Sequence, residues 1–358
     1  MTPLETKLLP LGLAIAWLLI QASFRRSRIL AQLVSLAPLW ITLMLSSNRW
    51  DHLVLASAIG TLLLSFYRIQ EHHEEFGMLL LLTTLGALTL VAAEDFMTFF
   101  IGLELMTLPV YGLIAWHPTH PQPLHSGLKY LILSGVSTAT LLLGIAFTYA
   151  QSGTLRLALA SPLGSALILV GIGFKLSLVP FHLWTGDVYA DSPWCAMSTL
   201  ATVSKAAVIS LLPKLNFDPK NLKVLGLIAI LSMLGGSLLM LRQQNLARFL
   251  AYSSIAHMGF ALAGWMVQAD ITYYMAAYLL SVWILLAGSN SRFFTILGLF
   301  SLMGLPVLPL FWGKYQILLL AFSHRNWPLF GFFLASSLIG VYGYARMIAK
   351  STQEKVIL

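Results

Sequence analysis

The sequence predicts an all-α fold, a polytopic transmembrane helical bundle of about thirteen spans. Three features carry this expectation. Of 358 residues, 58% are hydrophobic and only 9% are charged, and the mean hydropathy is +0.83. An ordinary soluble domain carries about 25% charged residues, so this surface has to face lipid. The apolar residues fall in continuous runs near the ~20 residues that cross a hydrocarbon core, not in the ~10-residue alternating segments of a closed β-barrel. Finally, a few ionisable residues stand inside those runs. A lysine there costs about 2.5–3.5 kcal/mol on insertion scales and survives by facing a bundle interior, a partner or a watered cavity.

Short polar or Pro/Gly-rich clusters separate the runs: FRRSR, SSNRWD, RIQEHHEE, HPTHPQPLH, QSGTLR, TGDVYADSP, NFDPKN, RQQNLAR, VQAD, GSNSR and SHRNW. The spans expected between them are 7–24, 28–47, 51–68, 76–93, 95–116, 125–150, 162–184, 192–213, 221–241, 246–267, 270–288, 292–322 and 327–349. The first run lacks a basic stretch followed by a small-residue cleavage site, so Met1 to about Ser23 reads as a retained span. Only Ala93-Glu94-Asp95 divides the fourth span from the fifth, and the run at 292–322 is long for one helix.

Basic residues in short loops set orientation. With the amino terminus outside, the inner side holds Arg25, Arg26, Arg28, Arg68, Lys129, Arg242, Arg248, Arg292, Arg346, Lys350 and Lys355, eleven in all. The outer side holds Lys7, Arg49, Arg156, Lys214, Lys220, Lys223 and Arg325, which is seven. Amino terminus out and carboxyl terminus in is therefore favoured. The net charge of +8 is scattered through these loops, which suits topology and anionic headgroups of the lipid bilayer, not nucleic acid. One cysteine, Cys195, excludes an internal disulfide and any cysteine-held cluster supplied by this chain alone.

The remaining basic residues, Lys175, Lys205 and Lys314, lie within spans. Glu104 sits roughly nine residues into its own, about 13 Å deep at the helical rise, and reads either as a carboxylate satisfied by a neighbouring helix or as a member of the same charged set. His257, in LARFLAYSSIAHMGFALAG, adds a titratable group at similar depth. Five such residues on five spans form a regular set, and chains of such sites relay protons through membranes. Glu104 and Lys175 are expected to approach within a direct or water-bridged contact, because each is costly alone. Proline opens the helical ladder, and broken membrane helices are tolerated where they line a buried or watered cavity. Pro180 follows Lys175, and Pro306 and Pro309 precede Lys314, five spans later. That spacing predicts two five-helix repeats with proline-broken helices, inverted because the number of spans in each is odd. The expected domains are three helices over 1–70, the two repeats over 71–213 and 214–349, and a tail over 350–358.

FKLSLVPFHLWTGDVYADSP, STLATVSKAA, NLARFLAYSSIAHMGF and GLPVLPLFWGK together resemble the antiporter-like membrane subunits of proton-pumping NADH:quinone oxidoreductase, respiratory complex I. The resemblance runs from about Leu79 to Arg346, and the wording PFHLWT-DVY and ATVSKAA is similar to the subunit N branch. It implies that Glu104 and Lys175 pair in a first half-channel, that Lys205 bridges, that His257 belongs to the polar axis and that Lys314 ends the second half-channel. It also implies an enzyme subunit that does no redox chemistry itself, with NADH, FMN, iron–sulfur clusters and quinone in partner subunits. Its partners would be other membrane subunits, including neighbouring antiporter-like ones, in a bacterial inner membrane. Gly186 and Ala190-Asp191 depart from the family's WTPDVYEGAP, the connection GSNSR is short, and no final span follows Arg346. These departures touch loop contacts and docking more than the five charges.

The expected mechanism takes a proton from the inner side towards Lys175 or Lys205, passes it by His257 and releases it outward near Lys314, driven by a charge change at Glu104. His182 reads as a relay member or a satisfied core histidine, and Asp187 as a backbone or cap partner or a group at proton entry. EHHEE at 71–75, and His117, His120 and His125, read as solvated loop residues without metal-site spacing. No phosphate loop or nucleotide fingerprint is present. Rival readings are a subunit of a multi-chain sodium/proton antiporter or membrane-bound hydrogenase, and a structural subunit that no longer pumps. The subunit-N-like wording opposes the first, and retention of all five charges opposes the second.

Overall fold

The computed structural model describes residues 3–24, 28–68, 72–116, 121–157, 161–215, 217, 219–288 and 291–353. Arg25, Arg26, Glu71, His117, His120, Ser289, Asn290 and the tail beyond Gln353 lie outside the described residues. Among the described residues the regular structure is helical, with one isolated bridge between Asp95 and Arg156. Helices α1 (Pro3–Phe24), α2 (Arg28–Leu45) and α3 (Arg49–Arg68) come first; α1 packs on α2, and α3 reaches inward against later helices. Next come α4 (His73–Ala92), α5 (Phe96–Ile114), α6 (Pro121–Ser152), α7 (Pro162–Lys175), α8 (Thr185–Asp191), α9 (Trp194–Thr199) and α10 (Lys205–Ile209). The chain finishes with α11 (Pro219–Met240), α12 (Leu246–Met266), α13 (Ile271–Ala287), α14 (Arg292–Met303), α15 (Pro309–Ser323) and α16 (Trp327–Gln353).

Every expected span carries helix, and six helices are long and apolar enough to cross a membrane by length and composition. The narrow Ala93-Glu94-Asp95 boundary is a true helix end. Asp95 caps α5, its carboxylate accepting from Thr98 N and Thr98 Oγ1 at 2.8 Å each, which satisfies a donor the helix leaves open. The long run at 292–322 divides. Gly304 ends α14 at φ 90°, a conformation glycine adopts without penalty, and Pro309 opens α15, where its missing N–H costs no bond. The run at 162–184 divides as well: α7 stops at Lys175, and the chain turns irregularly through Pro180 before α8 begins.

Helix α9 continues through a π-turn, Leu200–Ser204, into α10, and the apolar window of this composite span is 100% buried, against 33% for α6, α11 and α16. The charge at Lys205 therefore meets protein on every side. Around this centre the packing repeats. Helices α4 and α5 cross so closely that a Cβ on Gly86 would lie 2.2 Å from Met106 N, and α11 and α12 do the same at Gly236, 2.5 Å from Ala256 N. Gly236 and Ala256 each stand 150 positions after Gly86 and Met106, and the α12 cap Asn245 stands 150 after Asp95. Small residues at such crossings are how membrane helices gain packing without a hydrophobic driving force.

Interhelical polar contacts join ends assigned to one side from the sequence. Lys7 Nζ, expected on the outer side, meets Asp51 Oδ2 at 2.6 Å. Lys129 and Arg248, both expected on the inner side, meet Asp187, and Arg346, expected there too, donates to the Leu241 carbonyl just after α11.

Candidate functional site: a buried lysine–hydroxyl–histidine axis

Lys175 is the last residue of α7, where the helix breaks, and is 6% exposed. Its Nζ donates to Thr107 Oγ1 at 2.9 Å and to Ser134 Oγ at 2.7 Å, with the Tyr130 ring centroid 5.8 Å away. Glu104, half-buried on α5, accepts instead from Thr138 Oγ1 at 2.8 Å. Ser134 and Thr138 stand one turn apart on α6, so Lys175 and Glu104, expected to meet directly or through a water, each bond a hydroxyl of this third helix. The reason is geometric: α6 packs against both α5 and α7, and it offers neutral acceptors that avoid the desolvation penalty of a buried ion pair.

Lys205 follows directly on the π-turn, a feature common at functional positions, and is 1% exposed. It donates to Ser254 Oγ on α12, and its ammonium stands 5.9 Å from the Tyr189 ring centroid. One turn further along α12, His257 is also 1% exposed. Its Nδ1 lies 2.7 Å from Tyr274 OH and its Nε2 lies 3.2 Å from Tyr344 OH, while Tyr344 OH is hydrogen-bonded to Ser253 Oγ.

Lys314, on the second half of the broken span, turns its Nζ back to the carbonyls of Leu302 and Met303 at 3.0 and 3.1 Å. These are among the carbonyls that the end of α14 leaves open, and a cation is favoured at that end of the helix dipole. Gly304 packs directly against this side chain, a Cβ there standing 3.5 Å from Lys314 Nζ. A cavity of about 10 Å³, roughly the space of one water, is bounded by Lys314, His257, Tyr344, Ser336 and Ser337. Lys314 and His257 thus share one chamber, as Lys205 and Ser254 share one contact.

Comparison with known proteins agrees with this architecture. The family model described as NADH:quinone oxidoreductase/Mrp antiporter, TM, matches residues 93–293. NADH-quinone oxidoreductase subunit N of Methylococcus capsulatus is 35% identical over 380 residues, covering 89% of this chain and 76% of that protein. The chain belongs to this family. Subunit N of Psychrobacter arcticus is 37% identical, covering 78% of this chain and 67% of that protein. A chain in the structure of respiratory complex I from Thermus thermophilus with bound aureothin superimposes with a TM-score of 0.85 at 27% identity, covering 98% of this chain and 90% of that one.

Within this NADH:quinone oxidoreductase/Mrp family member, the six residues singled out from the sequence do not form one cluster. Lys175 and Glu104 are linked through α6, whereas Lys205, His257 and Lys314 are linked through α12. His182 belongs to neither group of contacts and stands half-buried on the irregular segment after α7. Asp187 neither caps the next span nor bonds nearby backbone. Its Oδ1 accepts from Arg248 Nη2 at 3.2 Å and its Oδ2 from Lys129, and it holds α8 to α12 and α6. Asp191, four residues on, accepts from Ser126 Oγ at 2.6 Å.

Ser134, Thr138, Ser254, Tyr274 and Tyr344 were not singled out from the sequence. Ser and Thr in membrane helices mostly bond the carbonyl one turn back, as Thr83, Thr84 and Thr89 do, so their presence alone says nothing. One signal was available. Ser254 and His257 stand 150 positions after Glu104 and Thr107, the two α5 residues at the first cluster.

Proposed function

We propose that this chain is a proton-translocating membrane subunit of an NADH:quinone oxidoreductase. It acts beside other membrane subunits in the bacterial inner membrane, including neighbouring antiporter-like ones. NADH oxidation on FMN and iron–sulfur clusters, and quinone reduction, belong to partner chains. Glu104 receives the driving charge change. Lys175, His182 and Lys205 take the proton from the inner side, His257 passes it on, and Lys314 releases it outward. The two units, over 71–213 and 214–349, are inverted repeats behind three N-terminal helices over 1–70, a reading supported by their glycine contacts and helix caps 150 positions apart.

The observation that carries this reading is the nature of the lysine partners. The ion pairs seen among the described residues, such as Lys7–Asp51 and Lys129–Asp187, involve other cations. Lys175, Lys205 and Lys314 face neutral hydroxyls and carbonyls instead. A lysine kept for its charge is matched to a carboxylate, which holds its proton in place. A lysine that must give its proton up needs acceptors that remain satisfied without it, and a hydroxyl can reverse its own hydrogen to donate instead.

A sodium/proton antiporter subunit shares this architecture, and the family model spans both kinds of complex. The relatives at 35% and 37% identity are subunits N, which favours the oxidoreductase. Purification of the tagged chain from its native membrane tests the choice. NADH:quinone oxidoreductase activity and NADH-driven proton uptake should accompany it into proteoliposomes. Copurification with other ion-transport subunits and no NADH oxidation would overturn the assignment.

A further inference from the structure

Each of the three relay lysines has, besides its hydrogen-bond acceptors, an aromatic face supplied by another helix. Lys175 Nζ stands 5.8 Å from the ring centroid of Tyr130 on α6, Lys205 Nζ 5.9 Å from that of Tyr189 on α8, and Lys314 Nζ 5.3 Å from that of Phe260 on α12. All three lie within the ~6 Å over which a ring face attracts a cation. The rings are 3%, 0% and 3% exposed, so bulk water does not screen the attraction. They are also held in place. Tyr130 packs against Tyr111 at 5.5 Å and Trp184 at 4.6 Å, and Phe260 against Phe333 at 4.6 Å. Tyr189 belongs to α8, which Asp187 ties to Lys129 and Arg248. Lys7 and Lys129, outside the relay, are answered by carboxylates instead.

A carboxylate holds an ammonium strongly and favours its charged form. A ring face attracts the ammonium through its quadrupole. It has no lone pair that could take the proton, and it loses its hold once the amine is neutral. We propose that Tyr130, Tyr189 and Phe260 are positioning residues of the relay, each ring holding its lysine in place while protonated and releasing it once neutral. This rests on the proton-relay reading above. Phe260 also lines the chamber shared by Lys314 and His257, so its hold on the ammonium acts where the proton is handed on.

Ring electronics separate this role from packing. Trifluorophenylalanine in place of Phe260 keeps the shape of the ring, while its fluorines draw off the electron density that makes the face negative. The measurement is protons taken up per NADH oxidised by the whole complex in proteoliposomes, normalised to assembled complex. The loss in Lys314→Ala is the reference for Phe260, and the losses in Lys175→Ala and Lys205→Ala are the references for Tyr130 and Tyr189. Phe260→Leu and the trifluorinated ring should each show at least about half of the reference loss, and a singly fluorinated ring less. Tyr130→Leu and Tyr189→Leu should likewise show at least about half of theirs, and phenylalanine at the same sites, which keeps the ring, should restore most of it. If a leucine variant fails to assemble, the trifluorinated ring reads the same contact without a loss of volume. Normal pumping by all three lysine-to-alanine variants would remove the relay reading itself. Losses in those variants with unimpaired pumping by the trifluorinated ring, or equal losses by leucine and phenylalanine at Tyr130 and Tyr189, would overturn the aromatic role alone.

Discussion

On the proposed division into two five-helix units, the scaffold repeats and the chemistry hung on it changes. Gly86 and Gly236 bring the first two helices of each unit into backbone contact, and Asp95 and Asn245 cap the second helix of each. Along those same second helices, Glu104 is answered by Ser254 and Thr107 by His257, again 150 positions apart. In the first unit the position of Thr107 touches Lys175, and in the second its counterpart His257 shares a chamber with Lys314. A carboxylate stands near Lys175, whereas Lys205, also in the first unit, and Lys314, in the second, face only hydroxyl and carbonyl groups among the described residues. The backbone contacts are conserved between the units because a crossing at this distance has no room for a side chain. The polar positions are free to diverge because each needs only a partner at the right distance. On the proposed reading, divergence inside a fixed scaffold would let one unit sense charge and the other pass a proton.

If the scaffold is common to both units, breaking it should be equally damaging in either. Gly86→Val and Gly236→Val each place a Cβ within 2.5 Å of a backbone nitrogen, beyond ordinary overpacking costs of about 1–3 kcal/mol. Both should abolish assembled complex in membranes, read from subunit content. Normal assembly with either would show that the two crossings are not equivalent.

The polar difference can be tested by moving the carboxylate across. Ser254→Asp places a charge beside Lys205 Nζ, worth about 4 kcal/mol at ~4 Å and an effective dielectric of ~20, and holds the proton there. Proton uptake should fall by at least about tenfold, well beyond the effect of Ser254→Ala. Glu104→Gln keeps the Thr138 contact and removes the charge, so it should reduce coupling with little effect on assembly. Uptake unchanged by Ser254→Asp would mean that the neutral setting of Lys205 has no functional weight.

The caps give the smallest effect and differ in kind. Asp95→Ala and Asn245→Ala should each cost about 1 kcal/mol, seen as a small drop in thermal midpoint. Partial burial raises the Asp95 carboxyl, but bonds from Thr98 N, Thr98 Oγ1 and Met97 N outweigh it and hold the group below its ordinary range. A carboxyl lowered by folding stabilises above its unfolded value and loses that contribution as pH falls through its folded one. The Asp95 contribution should therefore fade below about pH 4, while that of Asn245 stays flat. A parallel pH response in Asp95→Asn and the unmodified chain would contradict the charge argument.

Much of this was legible from residues alone because hydrophobic length and proline breaks are local. The breaks beside Lys175 and ahead of Lys314, and the helix end at Ala93-Glu94-Asp95, stand where the sequence placed them. The partners of the charges were not legible. Lys175 is separated from Thr107 by 68 residues and from Ser134 by 41, and nothing in a hydroxyl's immediate neighbourhood shows whether it bonds its own helix or another. Asp187 illustrates the same limit: its motif suggested a local role or one at proton entry, and its partners Lys129 and Arg248 come from α6 and α12.

Replacing Lys205 in two ways tests the proton-carrier role most directly. Arginine keeps the positive charge and does not release its proton in a protein, whereas alanine removes both. Proton uptake by the whole complex in proteoliposomes, with electron transfer followed in parallel, is predicted to fall in Lys205→Arg as far as in Lys205→Ala. Uptake at the unmodified rate in Lys205→Arg would show that the residue is needed only for its charge, and normal uptake in both would remove it from the relay.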